Sequence, residues 1–115
     1  LLEHLKRHNK AHLFLDTFPC CAHTTASDAI RMGLPIVTFT GNSFASRVAS
    51  SLIKAVDEDY NLTLNTEDYI NKTINYYMEF KNGNDISLHE SQIAKIINPT
   101  QYTLNFEKNM SIICK

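Results

Sequence analysis

The densest group of polar side chains able to bind a ligand lies at residues 23–28, which read His23-Thr24-Thr25-Ala26-Ser27-Asp28. The segment opens a run with helical spacing, and the first turn of a helix offers free backbone N–H groups and a positive dipole end. His23 can donate to a phosphate oxygen. Asp28, one turn further on, can accept hydrogen bonds from a pair of ribose hydroxyls. These residue types are suited to a phosphorylated nucleoside.

The same residues also have a purely structural interpretation. Thr24 or Thr25 is a common helix cap, and Asp28 in the first or second turn suits the helix dipole without any ligand. The sequence has neither a G-x-G-x-x-G nor a Walker A motif. Spacing alone therefore favours the structural interpretation.

Three further positions are weaker candidates. His4 and Arg7 lie one turn apart on a predicted helix and could contact a base, although the residues alone favour a solvated basic face. Asp16 lies at the end of a predicted strand, where it could simply satisfy loop amides. Arg47 could pair with an anion or lie along the surface.

The cysteines show no metal-binding spacing. Cys20 and Cys21 are adjacent and Cys114 is distant, whereas zinc sites favour spaced cysteine and histidine pairs. His23 lies near both adjacent cysteines, so a metal cluster is conceivable. Reduced thiols in a cytoplasmic protein are the favoured interpretation, and we predict neither metal nor cofactor.

Bulk properties exclude several classes of protein. The chain has 115 residues and a net charge of −1, so its totals indicate no basic surface for nucleic acid. Its apolar runs are far too short to span a membrane. The chain opens at Leu1, already within a helical pattern, and we therefore expect a fragment of a longer protein.

Apolar runs and turn residues predict the elements that position these groups. Buried strands are predicted at residues 12–16 and 35–39, and helices at 2–10, 24–32 and 44–55. The strands are short and continuously apolar, as in a parallel sheet covered on both faces. The remainder is predicted to be helical, with helices starting near residue 65, at Ser87 and at Thr100. The fold class is therefore α/β with a helical carboxy-terminal half.

The order of motifs resembles one family. It comprises L-D-T-x-P, then H-T-T-x-x-D, then G-x-P and A-S-R-V-A, at residues 15–19, 23–28, 33–35 and 45–49. The arrangement is similar to the carboxy-terminal catalytic region of protein O-GlcNAc transferases and their Spindly-like relatives, and the tail at 101–107 resembles that family's final helix.

The resemblance implies a GT-B fold, in which two Rossmann-like lobes enclose the active site. It implies an inverting transfer of sugar from a UDP-sugar, such as UDP-GlcNAc, to a Ser or Thr hydroxyl without a metal ion. Many members carry amino-terminal TPR repeats that recruit proteins. Residues 1–115 would form the UDP-binding half of the second lobe. The implied partners are the UDP-sugar, an acceptor protein and the upstream lobe, with no nucleic acid.

The resemblance also implies roles for individual residues. His4 would stack on uracil and Arg7 would reach its edge. A second set would hold the rest of UDP, with the diphosphate on His23, Thr24 and Thr25 and the ribose on Asp28. No catalytic residue is predicted in this segment.

Two departures from the family pattern leave the donor sugar open. Leu1 stands where some members have a ribose-contacting lysine, and Cys20-Cys21 replaces a more polar or aromatic pair. Glucose and fucose donors also occur among related enzymes.

Two alternatives remain beside the enzyme interpretation. The chain could be a non-catalytic nucleotide-binding or interaction remnant, or a half-lobe without a function of its own, whose sheet edges and apolar faces would promote association. In either case, and for the isolated segment of an enzyme, we expect no catalytic activity.

Overall fold

A computed structural model of the protein describes residues 2–56 and 58–114. The described elements are helices α1 (Leu2–His8), α2 (Thr24–Arg31), α3 (Val48–Ala55), α4 (Thr66–Lys81), α5 (Glu90–Ile97) and α6 (Pro99–Ile113), strands β1 (Phe14–Leu15), β2 (Ile36–Phe39) and β3 (Leu62–Thr63), and short 3-10 helices at Phe44–Ser46 and Asp59–Asn61. The first half alternates strand and helix, as the sequence predicts.

The three strands form a parallel sheet in the order β1-β2-β3. Phe14 pairs with Ile36, and Thr38 pairs with Leu62 on the other side of β2. The prediction of two strands was therefore incomplete. The missed strand is held by a long-range bond, in which the buried Thr63 hydroxyl donates to the Thr38 carbonyl at 2.8 Å.

The core lies between the sheet and the helices α2, α3 and α5. Its buried apolar side chains are Cys21, Ala26, Ala29, Ile30, Leu34, Ile36, Ala49, Ile53, Val56 and Leu88. Alanines on the inner faces of α2 and α3 let both helices approach closely. Gly33 ends α2 with a φ of +77°, a conformation that glycine adopts without steric cost.

The predicted continuous helix at 44–55 is wrong. The chain forms a 3-10 turn at Phe44–Ser46, and α3 begins only at Val48. Ser46 causes the break, because its hydroxyl lies 2.9 Å from that of Ser43 and accepts from the Ser43 amide at 3.1 Å. These local bonds compete with the helical pattern.

The carboxy-terminal half is helical, as predicted, but contributes little to the core. Asn65 caps α4 by accepting from the Asp68 amide at 2.8 Å. The helix predicted from Ser87 begins at Glu90, and neither α4, α5 nor α6 contains a buried residue. No helix in the described ranges is long and apolar enough to cross a membrane.

Candidate nucleotide site

The carboxyl ends of β1 and β2 are joined by Asp16, which is buried. Its Oδ1 accepts from the amides of Thr17 at 2.9 Å and Ala22 at 2.7 Å, while the Thr38 hydroxyl donates to Oδ2 at 2.5 Å. The interpretation of Asp16 as an acceptor for loop amides is confirmed. The carboxylate fixes the loop that leads from the sheet into α2.

The first turn of α2 has unused hydrogen-bond donors. The first backbone bond of the helix runs from Ser27 N to His23 O, at 3.1 Å. Within the described residues, the amides of Thr24, Thr25 and Ala26 have no partner. Three adjacent N–H groups at a helix start are a favourable arrangement for an anion.

The predicted cap at Thr24 or Thr25 is wrong. His23 precedes the helix as its N-cap residue, and no side chain caps the helix. Both threonines lie inside the first turn and are exposed to solvent. Since neither hydroxyl is used as a cap, both remain available to a ligand.

Asp28 lies in the second turn and is joined to the first helix of the chain. His4 Nε2 lies 3.6 Å from Asp28 Oδ2, and the Asp28 side chain is 14% exposed against 46% for His4. The structure thus brings α1 and α2 together at this pair. His4 also meets His8 edge to face, with ring centroids 5.5 Å apart.

Arg7 lies one turn beyond His4 on α1, with its side chain exposed. Among the described residues, no carboxylate pairs with its guanidinium. A solvated basic face and a contact to a bound base both agree with this position. The role of Arg7 stays a prediction.

Phe44 is a neighbour of the site that the sequence analysis missed. Its ring lies edge-on to His23, with centroids 6.0 Å apart, and the side chain is 81% exposed. A lone aromatic residue after a serine carries no signal of this position in the sequence. It reaches His23 because the 3-10 turn lies a short loop beyond the end of β2.

Tyr69 of α4 supports the carboxyl ends of the strands from another direction. Its hydroxyl donates to the Asp16 carbonyl at 2.8 Å. Partial burial raises the pKa of this phenol, and the negative charge of Asp16 raises it further. Tyr69 therefore stays protonated and acts as a donor at neutral pH.

Within the described part of the chain, no group of three or more His, Cys, Asp or Glu side chains could hold a metal ion. Cys20, Cys21 and Cys114 are free thiols, and Cys21 is buried. The buried Cys21 sulfur accepts from the Ala49 amide at 3.3 Å, which gives this cysteine a structural role.

The fold and the position of these groups define part of a Rossmann-like lobe with a helix start at the carboxyl edge of its parallel sheet. The family model for glycosyl transferase family 41 matches residues 2–109. The chain belongs to this family, and the family resemblance predicted from its motifs is confirmed.

The chain is also similar to named proteins, which agree with this family assignment. The chain is 29% identical over 109 residues to a probable UDP-N-acetylglucosamine–peptide N-acetylglucosaminyltransferase SEC of Arabidopsis thaliana, covering 94% of this chain and 11% of that protein. It is 37% identical over 68 residues to the UDP-N-acetylglucosamine–peptide N-acetylglucosaminyltransferase of Caenorhabditis elegans, covering 59% and 6%.

A solved structure shares the fold. A mutant O-GlcNAc transferase of Thermobaculum terrenum matches with a TM-score of 0.60 and 23% identity, over 89% of this chain and 22% of that one. The α/β architecture expected for part of a GT-B lobe is confirmed. The chain spans only about a tenth of the length of the curated relatives that it matches.

Proposed function

We propose that this chain supplies the UDP-binding part of a protein glycosyltransferase that uses a UDP-sugar, with UDP-GlcNAc as the proposed donor. Family membership over residues 2–109 and the names of the relatives support the class of reaction. The whole enzyme would add an upstream lobe, which supplies the general base that deprotonates the acceptor hydroxyl. As in many members of the family, it would also add TPR repeats. Free thiols support a cytoplasmic location.

The diphosphate of UDP would lie against the first turn of α2. Three unpartnered amides point out of this turn, and His23, Thr24 and Thr25 surround it with exposed polar side chains. Each of these groups can donate a hydrogen bond to a phosphate oxygen. The positive end of the helix dipole adds to the attraction.

The nucleoside would lie along the contact between α1 and α2. His4 offers a ring for uracil and Arg7 a cation for its edge, while Asp28 offers carboxylate oxygens to the ribose hydroxyls. The single observation that carries the proposal is the 3.6 Å approach of His4 to Asp28, because residues 24 positions apart then face one ligand-sized surface. Bound ribose would replace His4 as a partner of Asp28.

The proposed reaction is a direct displacement. A Ser or Thr hydroxyl attacks the anomeric carbon and gives its proton to a general base of the upstream lobe. The bond from that carbon to the UDP oxygen breaks, and UDP leaves with the electron pair. Negative charge then grows on the diphosphate. Preorganised N–H donors at α2 stabilise this charge more in the transition state than in the ground state.

Calorimetric titration of the full-length gene product with UDP tests the proposal. We expect wild-type protein to bind UDP, and Asp28→Asn to bind it roughly tenfold more weakly because hydrogen bonds to a charged acceptor are lost. Asp59→Asn makes the same chemical change at an exposed site and should leave the affinity unchanged. Wild-type protein that does not bind UDP would disprove the proposal.

A further inference from the structure

A groove lies beside the candidate nucleotide site, on the side of Phe44 that faces α3. Its lining residues are Phe44, Arg47, Val48, Ser51 and Leu52, and its volume is about 540 Å³. The Phe44 ring is almost fully exposed, and Val48 and Leu52 are only partly buried. Exposed apolar surface of this kind marks a place where another molecule binds.

The groove contains one cation within an otherwise uncharged lining. Arg47 is exposed, and among the described residues its guanidinium has neither a hydrogen bond nor an ion pair. Within the same residues, the hydrogen bonds of Arg47 are those of its backbone: the Arg47 amide donates to the Phe44 carbonyl at 3.0 Å, and the Arg47 carbonyl accepts from the Ser51 amide at 3.0 Å. A free guanidinium framed by apolar side chains is complementary to a carboxylate that is itself flanked by apolar groups.

The groove is held rigidly against the nucleotide site. The amide of Cys21, in the loop before α2, donates to the Ala45 carbonyl at 2.8 Å, and the Ala49 amide donates to the Cys21 sulfur at 3.3 Å. With the Phe44 ring 6.0 Å from that of His23, one aromatic side chain separates the groove from the proposed diphosphate position. A polypeptide in the groove would therefore continue toward the reacting sugar.

We propose that this groove binds an acidic segment of the acceptor polypeptide, close in sequence to the modified Ser or Thr. A Glu or Asp side chain would pair with Arg47, and a neighbouring apolar side chain would pack on Phe44 and Leu52. The proposal rests on the proposed function, since it places the acceptor next to His23. A donor phosphate fits the groove poorly, because Phe44 separates it from the free amides of α2 and most of its lining is apolar.

Peptide binding tests the proposal without requiring sugar transfer. Fluorescence anisotropy would be measured on the full-length protein with labelled serine peptides, in three matched pools that carry Glu, Gln or Lys at the flanking positions. Wild-type protein should bind the Glu pool roughly fivefold more tightly than the Gln pool, the upper range for an exposed ion pair. Arg47→Gln should abolish this preference.

Reversing the charge of Arg47 tests whether this side chain sets the peptide preference. Arg47→Glu should prefer the Lys pool, whereas Lys54→Gln, which removes an exposed cation from the other end of α3, should bind like the wild type. Equal affinity of the wild type for the Glu and Gln pools would overturn the proposal. So would a preference for the Glu pool that survives in Arg47→Glu.

A separate titration with UDP distinguishes the two proposals. If Arg47→Gln loses UDP affinity, Arg47 belongs to the nucleotide site and the acceptor groove is wrong. If the wild type binds no UDP but retains a preference for Glu peptides that depends on Arg47, the proposed function fails and the groove stands as a peptide site. If the wild type binds UDP but shows no preference among the peptide pools, the proposed function stands and the acceptor groove is wrong.

Discussion

The His23 side chain lies at the start of α2 and makes few contacts with the rest of the protein. Its ring is exposed, meets Phe44 edge-on, and within the described residues its nitrogens have no hydrogen-bond partner. A histidine placed in this way contributes little to folding. Its nitrogens are free to meet a ligand at the start of α2.

His23→Ala should therefore separate activity from stability. In the full-length protein we expect turnover with UDP-GlcNAc to fall at least about tenfold, because the variant lacks the hydrogen-bond donor proposed for the leaving diphosphate. The free energy of unfolding should change by no more than about 0.5 kcal/mol. Steady-state kinetics and urea unfolding would be compared, and a proportionate loss of both would contradict the proposed role.

Tyr69 gives a pH-dependent prediction at the same scale. Burial and the nearby Asp16 charge raise its pKa above the ordinary value for tyrosine, about 10, so the folded state holds this proton more tightly than the unfolded state does. The contribution of Tyr69 to the free energy of unfolding is fully present below its pKa in the unfolded state, near pH 10. It is lost as the pH rises through its pKa in the folded state. Tyr69→Phe should flatten this alkaline loss.

Urea unfolding measured across the alkaline range would check this behaviour. Tyr76 also has a raised pKa, chiefly because of burial, although its bond to Asn61 lowers the value in part. Tyr76→Phe should therefore also reduce the loss of stability at alkaline pH. Tyr102→Phe, on the exposed α6 helix, serves as the control. An unaltered profile in both Tyr69→Phe and Tyr76→Phe would contradict the assignment.

At the scale of elements, the turn after β2 depends on a close backbone approach. A Cβ atom at Gly41 would lie 2.3 Å from the Ser46 hydroxyl oxygen and 2.6 Å from Ser46 Cβ. Both distances are too short for non-bonded atoms, and Ser46 is buried. Glycine at position 41 is what allows the 3-10 turn to fold back on the strand.

Gly41→Ala should destabilise the protein by roughly 1–3 kcal/mol, the cost of overpacking a filled site. Gly83→Ala provides a matched comparison, since its φ of +82° imposes backbone strain of about 1 kcal/mol while no atom lies within 4 Å of the added Cβ. Chemical unfolding of both variants would rank them. A smaller cost at Gly41 than at Gly83 would contradict the steric argument.

The elements also show which features local sequence can predict. Continuous apolar runs identified β1 and β2, and helical spacing identified α1 and α2, because these patterns reflect burial on a single element. The two-residue strand β3 has no such run and exists through its pairing with β2. Ser46 broke a predicted helix by hydrogen bonds that no periodicity reveals.

The candidate site also combines features that local sequence predicts with features that depend on tertiary packing. Residue types identified the cluster from His23 to Asp28, since polar groups at a helix start are visible in the sequence. The pairing of His4 with Asp28 depends on how α1 packs on α2, and the contact of Phe44 with His23 depends on the turn after β2. Binding of UDP by these residues remains a prediction.

At the scale of the whole molecule, two helices present apolar side chains to solvent. On α4, Ile70, Ile74, Tyr77 and Met78 are each 47–58% exposed, and on α6, Tyr102 and Phe106 are more than half exposed. Helical spacing correctly predicts these helices, but in this chain their apolar faces are not buried. Such surface favours association in water.

The isolated chain should therefore self-associate as its concentration rises. Light scattering after size-exclusion chromatography would give the mass, and the double variant Ile74→Glu/Tyr77→Glu should shift it toward 13.1 kDa, because charge on the apolar face of α4 opposes contact. Lys81→Glu, at the exposed end of the same helix, is the control. A monomeric wild type at all concentrations would contradict the prediction.

The attachment of the loop at 17–22 to Asp16 has a consequence for exchange with deuterated solvent. The amides of Thr17 and Ala22 donate to one buried carboxylate, although Thr17 itself is exposed. Their hydrogens can therefore exchange only when the carboxyl end of the sheet opens, not at the rate of an unrestrained surface loop. These two amides would report the opening of the sheet in a segment that secondary structure alone would describe as fast-exchanging.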